Sequence, residues 1–322
     1  MRLILILVAL AALAFGGWWV WGSRQVDARL AQVTADLEDR GWQLDYETEG
    51  TTGFPYRFLL DLDEIAAVSP DGGFGWQSPR LRFVSQSYQP NRLIALAADE
   101  HVVRLPGQEL AITAQAPRAS GAVELDTRLP VSEATAEAGA VRIRSDLGWE
   151  ATLGRVLTAL RAVPEGEGYD VFAEATALAL PEALLAAWDP QGRLPREIPI
   201  TRLEAGLATD APLALAGAPA RVEALDLREL SLDWGPVKLD GEGRLEIAAD
   251  GTPEGELVLR ITGWQVLLDL AAEAGLPVAQ SPLLRGALEQ MQSDGVLEAP
   301  ISFSDGRMAL GFVPLGPAPR LR

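Results

Sequence analysis

The spacing of hydrophobic residues changes along the chain, and each spacing predicts a different element. Leu3 to Trp21 is a run of 19 uncharged residues. As a helix rising about 1.5 Å per residue it would be roughly 28 Å long, close to the ~30 Å hydrocarbon core of a bilayer. Indole rings favour the lipid–water boundary, and the run ends in three of them, Trp18, Trp19 and Trp21. Residues 1–24 are therefore predicted to be a transmembrane anchor.

Two other interpretations of this segment stay open. A signal peptide would be cleaved at Ala12–Ala14, although the apolar run before that site is short and continues beyond it. A buried core helix would seldom have this length. With Arg2 on the cytoplasmic side, the anchor would lie in a bacterial inner membrane, and residues 25–322 would form a periplasmic domain.

Beyond the anchor, a helical stripe gives way to alternation. A spacing of four, three and four residues predicts a helix ended by Gly41, and its apolar positions are Val26, Leu30, Val33 and Leu37. Alternation then predicts strands near 81–84 and 93–97 and a hairpin about a Pro-Gly turn in "VRLPGQELAITA". It is clearest from Val222 to Ile261, which is predicted to be an antiparallel meander with one apolar face.

Helices are predicted at only four places in this body. They cover about 149–162, Pro181 to Trp188, 264–274 and Pro282 to Met291. Gly-Trp precedes both the first and the third, which suggests two related halves at about 41–165 and 166–322. The predicted fold class is mainly β with a few helices (α+β), with long curved antiparallel sheets preceded by one N-terminal transmembrane helix.

Composition and charge remove several functional classes. A formal charge of −18 argues against nucleic acid as a partner. The lack of cysteine excludes thiol catalysis and thiolate metal sites. His101 is the only histidine, without a recognisable nucleophile nearby, and the chain carries no catalytic or phosphate-binding motif. We therefore predict no catalytic residues, no metal and no cofactor. A periplasmic hydrolase using scattered carboxylates is the enzyme alternative.

The segment Gly53-Phe54-Pro55-Tyr56-Arg57 stands where a polar turn runs into an alternating stretch. Pro55 suits the first residue of a strand because it lacks an N–H. Phe54 and Tyr56 are then expected to share one strand face, with Arg57 on the other meeting a carboxylate. A structural corner is the favoured interpretation, and an aromatic gate beside a lipid groove is the alternative.

One apolar face of the meander is a candidate lipid channel. A sheet that curls on itself can enclose an apolar concavity suited to acyl chains. An ordinary core beneath the short helices is the other interpretation and the favoured one. The candidate residues for this face are Leu225, Leu227, Leu239, Leu245, Leu257 and Leu259.

The anchor, the "GFPYRF" stretch and the carboxy-terminal "GRMALGFVPLGPAPRL" resemble the bacterial family called domain of unknown function 2125. The architecture also resembles AsmA-type envelope proteins, which implies a sheet with an apolar inner face and a role in envelope maintenance or lipid movement. The resemblance carries no catalytic residues. The expected function is thus non-catalytic binding of a lipid or another apolar ligand, or of an envelope protein. A scaffold in a membrane complex is the alternative.

Overall fold

The computed structural model describes residues 2–164, 168–311 and 313–320. Within them lie four α-helices: α1 (Arg2–Asp39), α2 (Glu182–Trp188), α3 (Trp264–Glu273) and α4 (Pro282–Gln290), with a short 3-10 helix at Pro277–Gln280. The strands are β1 (Gln43–Glu47), β2 (Arg57–Val68), β3 (Gly75–Gln86), β4 (Gln89–Ala97), β5 (Glu100–Leu105), β6 (Gln108–Val123), β7 (Val131–Ser145), β8 (Glu150–Ala162), β9 (Gly168–Ala179), β10 (Glu197–Thr209), β11 (Val222–Trp234), β12 (Val237–Ile247), β13 (Pro253–Thr262), β14 (Gln292–Ser293), β15 (Val296–Ser304), β16 (Arg307–Leu310) and β17 (Val313–Pro317). The mainly β fold with a few helices and a long antiparallel sheet is confirmed.

The chain divides into two compact units. The first comprises Met1–Val123 with Ile143–Gly148, and the second comprises Glu124–Arg142 with Trp149–Arg322. That the chain contains two related halves stays a prediction.

The first unit is built on antiparallel strands that follow one another closely in sequence. β2 pairs with β3 along its length, from Arg57 opposite Gln86 to Val68 opposite Gly75. β3 then pairs with β4 at one end and with β5 at the other. The hairpin predicted about Pro106–Gly107 joins β5 to β6, with Leu105 opposite Gln108. These pairings confirm the strands expected near 81–84 and 93–97.

The predicted meander forms β11, β12 and β13 of the second unit. Leu225 lies opposite Leu245 and Leu239 lies opposite Ile261, so the alternating leucines share one face. A bulge between Leu227 and Leu230 restores the alternation where the two leucines stand three residues apart.

Helices α3 and α4 follow the meander and cover one end of its apolar face. Trp264 and Leu268 of α3 pack with Leu288 of α4 and with Leu297 and Ala299 of β15. Helices α2, α3 and α4 confirm three of the four helices predicted for the body.

The helix predicted at 149–162 is wrong, because this segment is strand β8. Its apolar residues form two pairs spaced by four, Leu153 with Leu157 and Val156 with Leu160, and a spacing of four fits a helix and a strand equally well. The partner strand decides: Val156 lies opposite Ala175 and Leu160 opposite Val171 of β9. Gly-Trp therefore precedes a strand in one case and a helix in the other, which removes the sign of internal repetition.

An ion-pair network with one buried carboxylate ties the end of α2 to α3. The carboxylate of Asp189 is inaccessible to solvent and accepts hydrogen bonds from the backbone N–H of Leu194 at 2.6 Å and from Arg193 at 3.0 Å. Arg193 also donates to Glu273 at the end of α3. Burial alone would raise the pKa of Asp189, but these donors and the charge of Arg193 outweigh it and hold the pKa below its usual 3.8.

Helix α1 runs without interruption for 38 residues and confirms the N-terminal helix. The end predicted at Gly41 is present: Gly41 N–H donates to Glu38 and Trp42 N–H to Leu37, the pattern of a Schellman motif. Over the residues that the structure describes, no helix combines the length and apolar character needed to cross a membrane. Of the four apolar positions that predicted this helix, Val33 is exposed, and the packed side of the helix passes through Thr34.

Candidate functional site

Gly53 to Arg57 form a tight corner ahead of β2. Phe54 to Tyr56 make a turn with a cis Phe54–Pro55 bond, and the strand begins only at Arg57. The expectation that Phe54 and Tyr56 share a strand face is wrong, because both residues precede the strand. Gly53 has a φ of +96°, and a Cβ there would lie 2.9 Å from the carbonyl oxygen of Arg57. This position therefore requires glycine.

Ser87, in the turn between β3 and β4, fastens the corner from one side. It is fully buried, its hydroxyl donates to the carbonyl of Pro55 at 2.9 Å, and its N–H donates to the carbonyl of Tyr56 at 3.0 Å. The indole N–H of Trp18 in α1 in turn donates to the carbonyl of Ser87 at 3.0 Å. The helix, the turn and the corner are thus joined by three hydrogen bonds.

Trp19 fastens the corner from the other side. Its indole N–H donates to the carbonyl of Arg57 at 2.8 Å. Its ring stacks on Phe58 with a centroid distance of 5.9 Å and meets Phe54 edge-on at 5.3 Å. Gly22, one turn further along α1, lets the helix approach Phe58 closely, because a Cβ at Gly22 would lie 2.5 Å from the phenyl ring.

Five aromatic rings surround this junction and remain accessible to solvent. We call them the aromatic collar: Trp18, Trp21, Phe54, Tyr56 and Tyr88. Each residue is between 43% and 68% exposed. The rings of Trp18 and Trp21 pack together with centroids 5.2 Å apart. Exposed side chains of this size in one cluster are unusual for a protein surface facing only water.

Below the collar, α1 is fixed to the sheet of the first unit. One carboxylate oxygen of Asp27 accepts hydrogen bonds from the N–H of Thr51 at 2.9 Å and from its hydroxyl at 2.6 Å. The hydroxyls of Thr34 and Tyr46 are 3.0 Å apart. The helix packs Val26 and Leu30 on a buried cluster of Leu60, Leu62 and Ile65. The helix and this sheet therefore form one packed body.

Two arginines stand close to the collar residues in sequence. Arg24 and Arg57 are exposed, and neither makes an ion pair within the described ranges. The expectation that Arg57 meets a carboxylate is therefore wrong. Elsewhere in the described ranges, arginines pair with carboxylates across neighbouring strands, such as Arg82 with Asp61 at 2.6 Å.

The six leucines proposed for a channel lie in the second unit and are packed against protein. Leu227 and Leu245 are buried, 7% and 3% exposed. Leu225 and Leu257 pack around Leu245 in a cluster with Phe303. Leu259 packs under α3 and α4, and Leu239 is half-buried opposite Leu232 and Ile261. The face belongs to a packed core over most of these positions.

A separate cavity of about 420 Å³ in the first unit contains His101. The imidazole stacks on Trp76 with centroids 6.0 Å apart, and its Nδ1 is buried without a hydrogen-bond partner. Burial lowers the pKa of His101, and the nearby carbonyl of Ala98 and charge of Asp99 offset this only in part. The hydroxyl of Ser78 in the same cavity donates to a backbone carbonyl. The Ser78 hydroxyl is therefore engaged with the backbone.

Across the described ranges, no group of three or more histidine, aspartate or glutamate side chains is placed to hold a metal ion. The hydrophobic pattern and the turn residues point to the tryptophans and to the corner separately, but not to Ser87 and Tyr88. The "SQSYQP" turn that carries them is 69 residues from Trp18 in sequence, so only the folded chain brings them together.

Fold and site together define a mainly β protein whose single long N-terminal helix is locked onto an aromatic corner of its first unit. Over residues 19–319 the sequence matches a family of uncharacterized proteins conserved in bacteria, domain of unknown function 2125, and the chain belongs to that family. The resemblance carried by "GFPYRF" is confirmed. No curated protein and no solved structure matches the chain.

Proposed function

We propose that the protein is a non-catalytic module of the bacterial envelope, held in the inner membrane by Leu3–Trp21 with its β-rich body in the periplasm. Its role is envelope maintenance through contact with lipid or another apolar ligand. The observation that carries this is the continuity of α1, which runs unbroken from the uncharged stretch into the packed sheet of the first unit.

A helix fastened in this way holds the uncharged stretch in a fixed position relative to the sheet of the first unit. The hydrogen bonds of Asp27 and the packing of Val26 and Leu30 leave no flexible linker between the uncharged stretch and the sheet. Side chains of that stretch, such as Leu7, Leu10 and Leu13, are more than half exposed and make no apolar core with the body. Burial in a bilayer would remove this apolar surface from water.

The likeness to AsmA-type envelope proteins belongs to this proposal as a fold-level analogy. It is supported by the long antiparallel pairing and by the apolar face of the meander. Because that face is largely filled by its own side chains, we place lipid contact at the junction of α1 with the first unit and not in the meander.

A scaffold that binds no lipid is the second candidate. It is favoured by the packing of Leu227, Leu245 and Leu259 into protein cores, which leaves the meander without an evident apolar ligand site. Lipid crosslinking separates the two candidates in native membranes. A photoactivatable phospholipid should label the corner around Tyr56 and Tyr88 as well as the uncharged stretch of α1, whereas an anchored scaffold would be labelled in the uncharged stretch alone.

The anchor is tested by a fusion of alkaline phosphatase after Arg322 in a Gram-negative host, because this enzyme is active only outside the cytoplasm. We expect an active fusion that resists extraction from membranes by alkaline carbonate. A matched fusion that lacks residues 3–21 should be inactive and extractable. An inactive full-length fusion, or one released by carbonate, would contradict the proposal.

A further inference from the structure

We propose that the aromatic collar is a membrane-docking surface, in which the rings of Phe54, Tyr56 and Tyr88 enter the lipid–water boundary beside Trp18 and Trp21. This rests on the proposed function, since it takes α1 as the membrane anchor. It adds that the first unit sits directly on the bilayer surface, with the Gly53–Arg57 corner as its point of contact.

The level of the corner along α1 is the first argument. Trp18 and Trp19 donate their indole hydrogen bonds to Ser87 and Arg57 at 3.0 and 2.8 Å. The corner is therefore held beside the last turn of the uncharged stretch, which ends at Trp21. The next charged residue, Arg24, is three residues on and about 4.5 Å further along the helix. If the uncharged stretch lies in the bilayer, the corner lies at its boundary.

The chemistry of the exposed groups is the second argument. Tyr and Trp place an apolar ring and a polar group together, and the headgroup region accommodates both. Of the eight exposed aromatic residues with described side chains, six belong to the collar or to α1 just before it: Phe15, Trp18, Trp21, Phe54, Tyr56 and Tyr88.

Positive charge beside the collar also favours lipid. Arg24 and Arg57 flank the collar without an ion-pair partner within the described ranges, whereas the chain as a whole carries a net charge of −18. Unpaired guanidinium groups at a membrane boundary can bind lipid phosphates. A protein partner or a second copy would also cover exposed rings, but continuity with the uncharged stretch of α1 favours lipid.

The absence of cysteine makes a direct depth measurement simple. We would prepare Phe54→Cys and Tyr88→Cys in the full chain, label each with the environment-sensitive fluorophore NBD, and reconstitute them in phosphatidylethanolamine–phosphatidylglycerol vesicles. Phe74→Cys is the matched control, because Phe74 is also an exposed aromatic residue but stands beyond the far end of β2. The 12 residues of β2 separate the two ends by about 40 Å.

We expect blue-shifted emission at positions 54 and 88 and at least threefold stronger quenching by shallow spin-labelled lipid than at position 74. Tyr88→Cys carries the test if Phe54→Cys fails to fold, since Phe54 contacts Trp19. Equal emission and equal quenching at all three positions, in protein that floats with the vesicles, would overturn the docking surface and leave the anchor intact. Failure of the unlabelled full chain to float with vesicles would overturn the anchor and the docking surface together.

Discussion

Gly22 of α1 occupies a place where an added methyl group would collide with the core. A Cβ there would lie 2.5 Å from Cζ and 3.0 Å from Cε1 of Phe58. Carbon atoms in contact normally stand about 3.5–4.0 Å apart, so the ring or the helix must move by about 1 Å. Phe58 is only 5% exposed and stacks on Trp19. Its ring therefore has little free space to enter, and Gly22→Ala should destabilise the first unit.

Two opposing effects set the magnitude. Overpacking a core typically costs about 1–3 kcal/mol, whereas replacing glycine by alanine inside a helix gains about 1 kcal/mol. The free energy of unfolding should therefore fall by about 0–2 kcal/mol for Gly22→Ala. Gly17→Ala is the matched control, because nothing lies within 4 Å of a Cβ at Gly17. That variant keeps the helix gain without the collision.

The assay is urea unfolding of the full chain in detergent micelles, followed by circular dichroism. Gly22→Ala should be less stable than Gly17→Ala by about 1–3 kcal/mol. The double variant Gly22→Ala/Phe58→Leu replaces the phenyl ring with a smaller side chain and should recover part of the stability lost in Gly22→Ala. A double-mutant cycle measures the coupling between positions 22 and 58. If Gly22→Ala gains as much stability as Gly17→Ala, or if the cycle shows no coupling between positions 22 and 58, then Gly22 and Phe58 are not in close contact.

Three further predictions concern other contacts. Asp27→Ala removes both hydrogen bonds to Thr51 and should lower the free energy of unfolding by about 1–3 kcal/mol. Asp36 is exposed, and Asp36→Ala should change this free energy by less than about 0.5 kcal/mol. Equal values for the two variants would contradict the attachment of α1 to the sheet. Because the folded-state pKa of Asp189 lies below its usual 3.8, its contribution to stability is present above pH 3.8 and is lost as pH falls through the lowered pKa. Asp189→Asn should therefore lower the melting temperature at pH 7. Between pH 7 and pH 3, the melting temperature of this variant should fall by less than that of the parent. An equal fall in both proteins would contradict this prediction. Leu245→Ala should cost about 2–5 kcal/mol as a core truncation, and a negligible cost in a thermal melt would instead favour an open apolar channel.

Residues close together in sequence determined much of this fold. The alternation from Val222 to Ile261 predicts the meander because a strand places every second side chain on one face. Gly41 predicts the end of α1, since a left-handed residue at that position satisfies the last helical carbonyl groups. The acidic charge, the lack of cysteine and the single histidine narrowed the functional classes without reference to a fold.

Tertiary structure decided the element type and the long-range contacts that the local sequence pattern left ambiguous. Segment 150–162 is a strand because β9 supplies hydrogen-bond partners along it, whereas its apolar spacing of four fits both periods. The corner at Pro55 could be proposed from proline and glycine chemistry, but the tight turn that holds Phe54 and Tyr56 outside the strand could not. The collar forms only when Trp18 meets Ser87 across 69 residues of sequence. Such a contact depends on how the helix packs on the sheet, which no periodicity within either segment encodes.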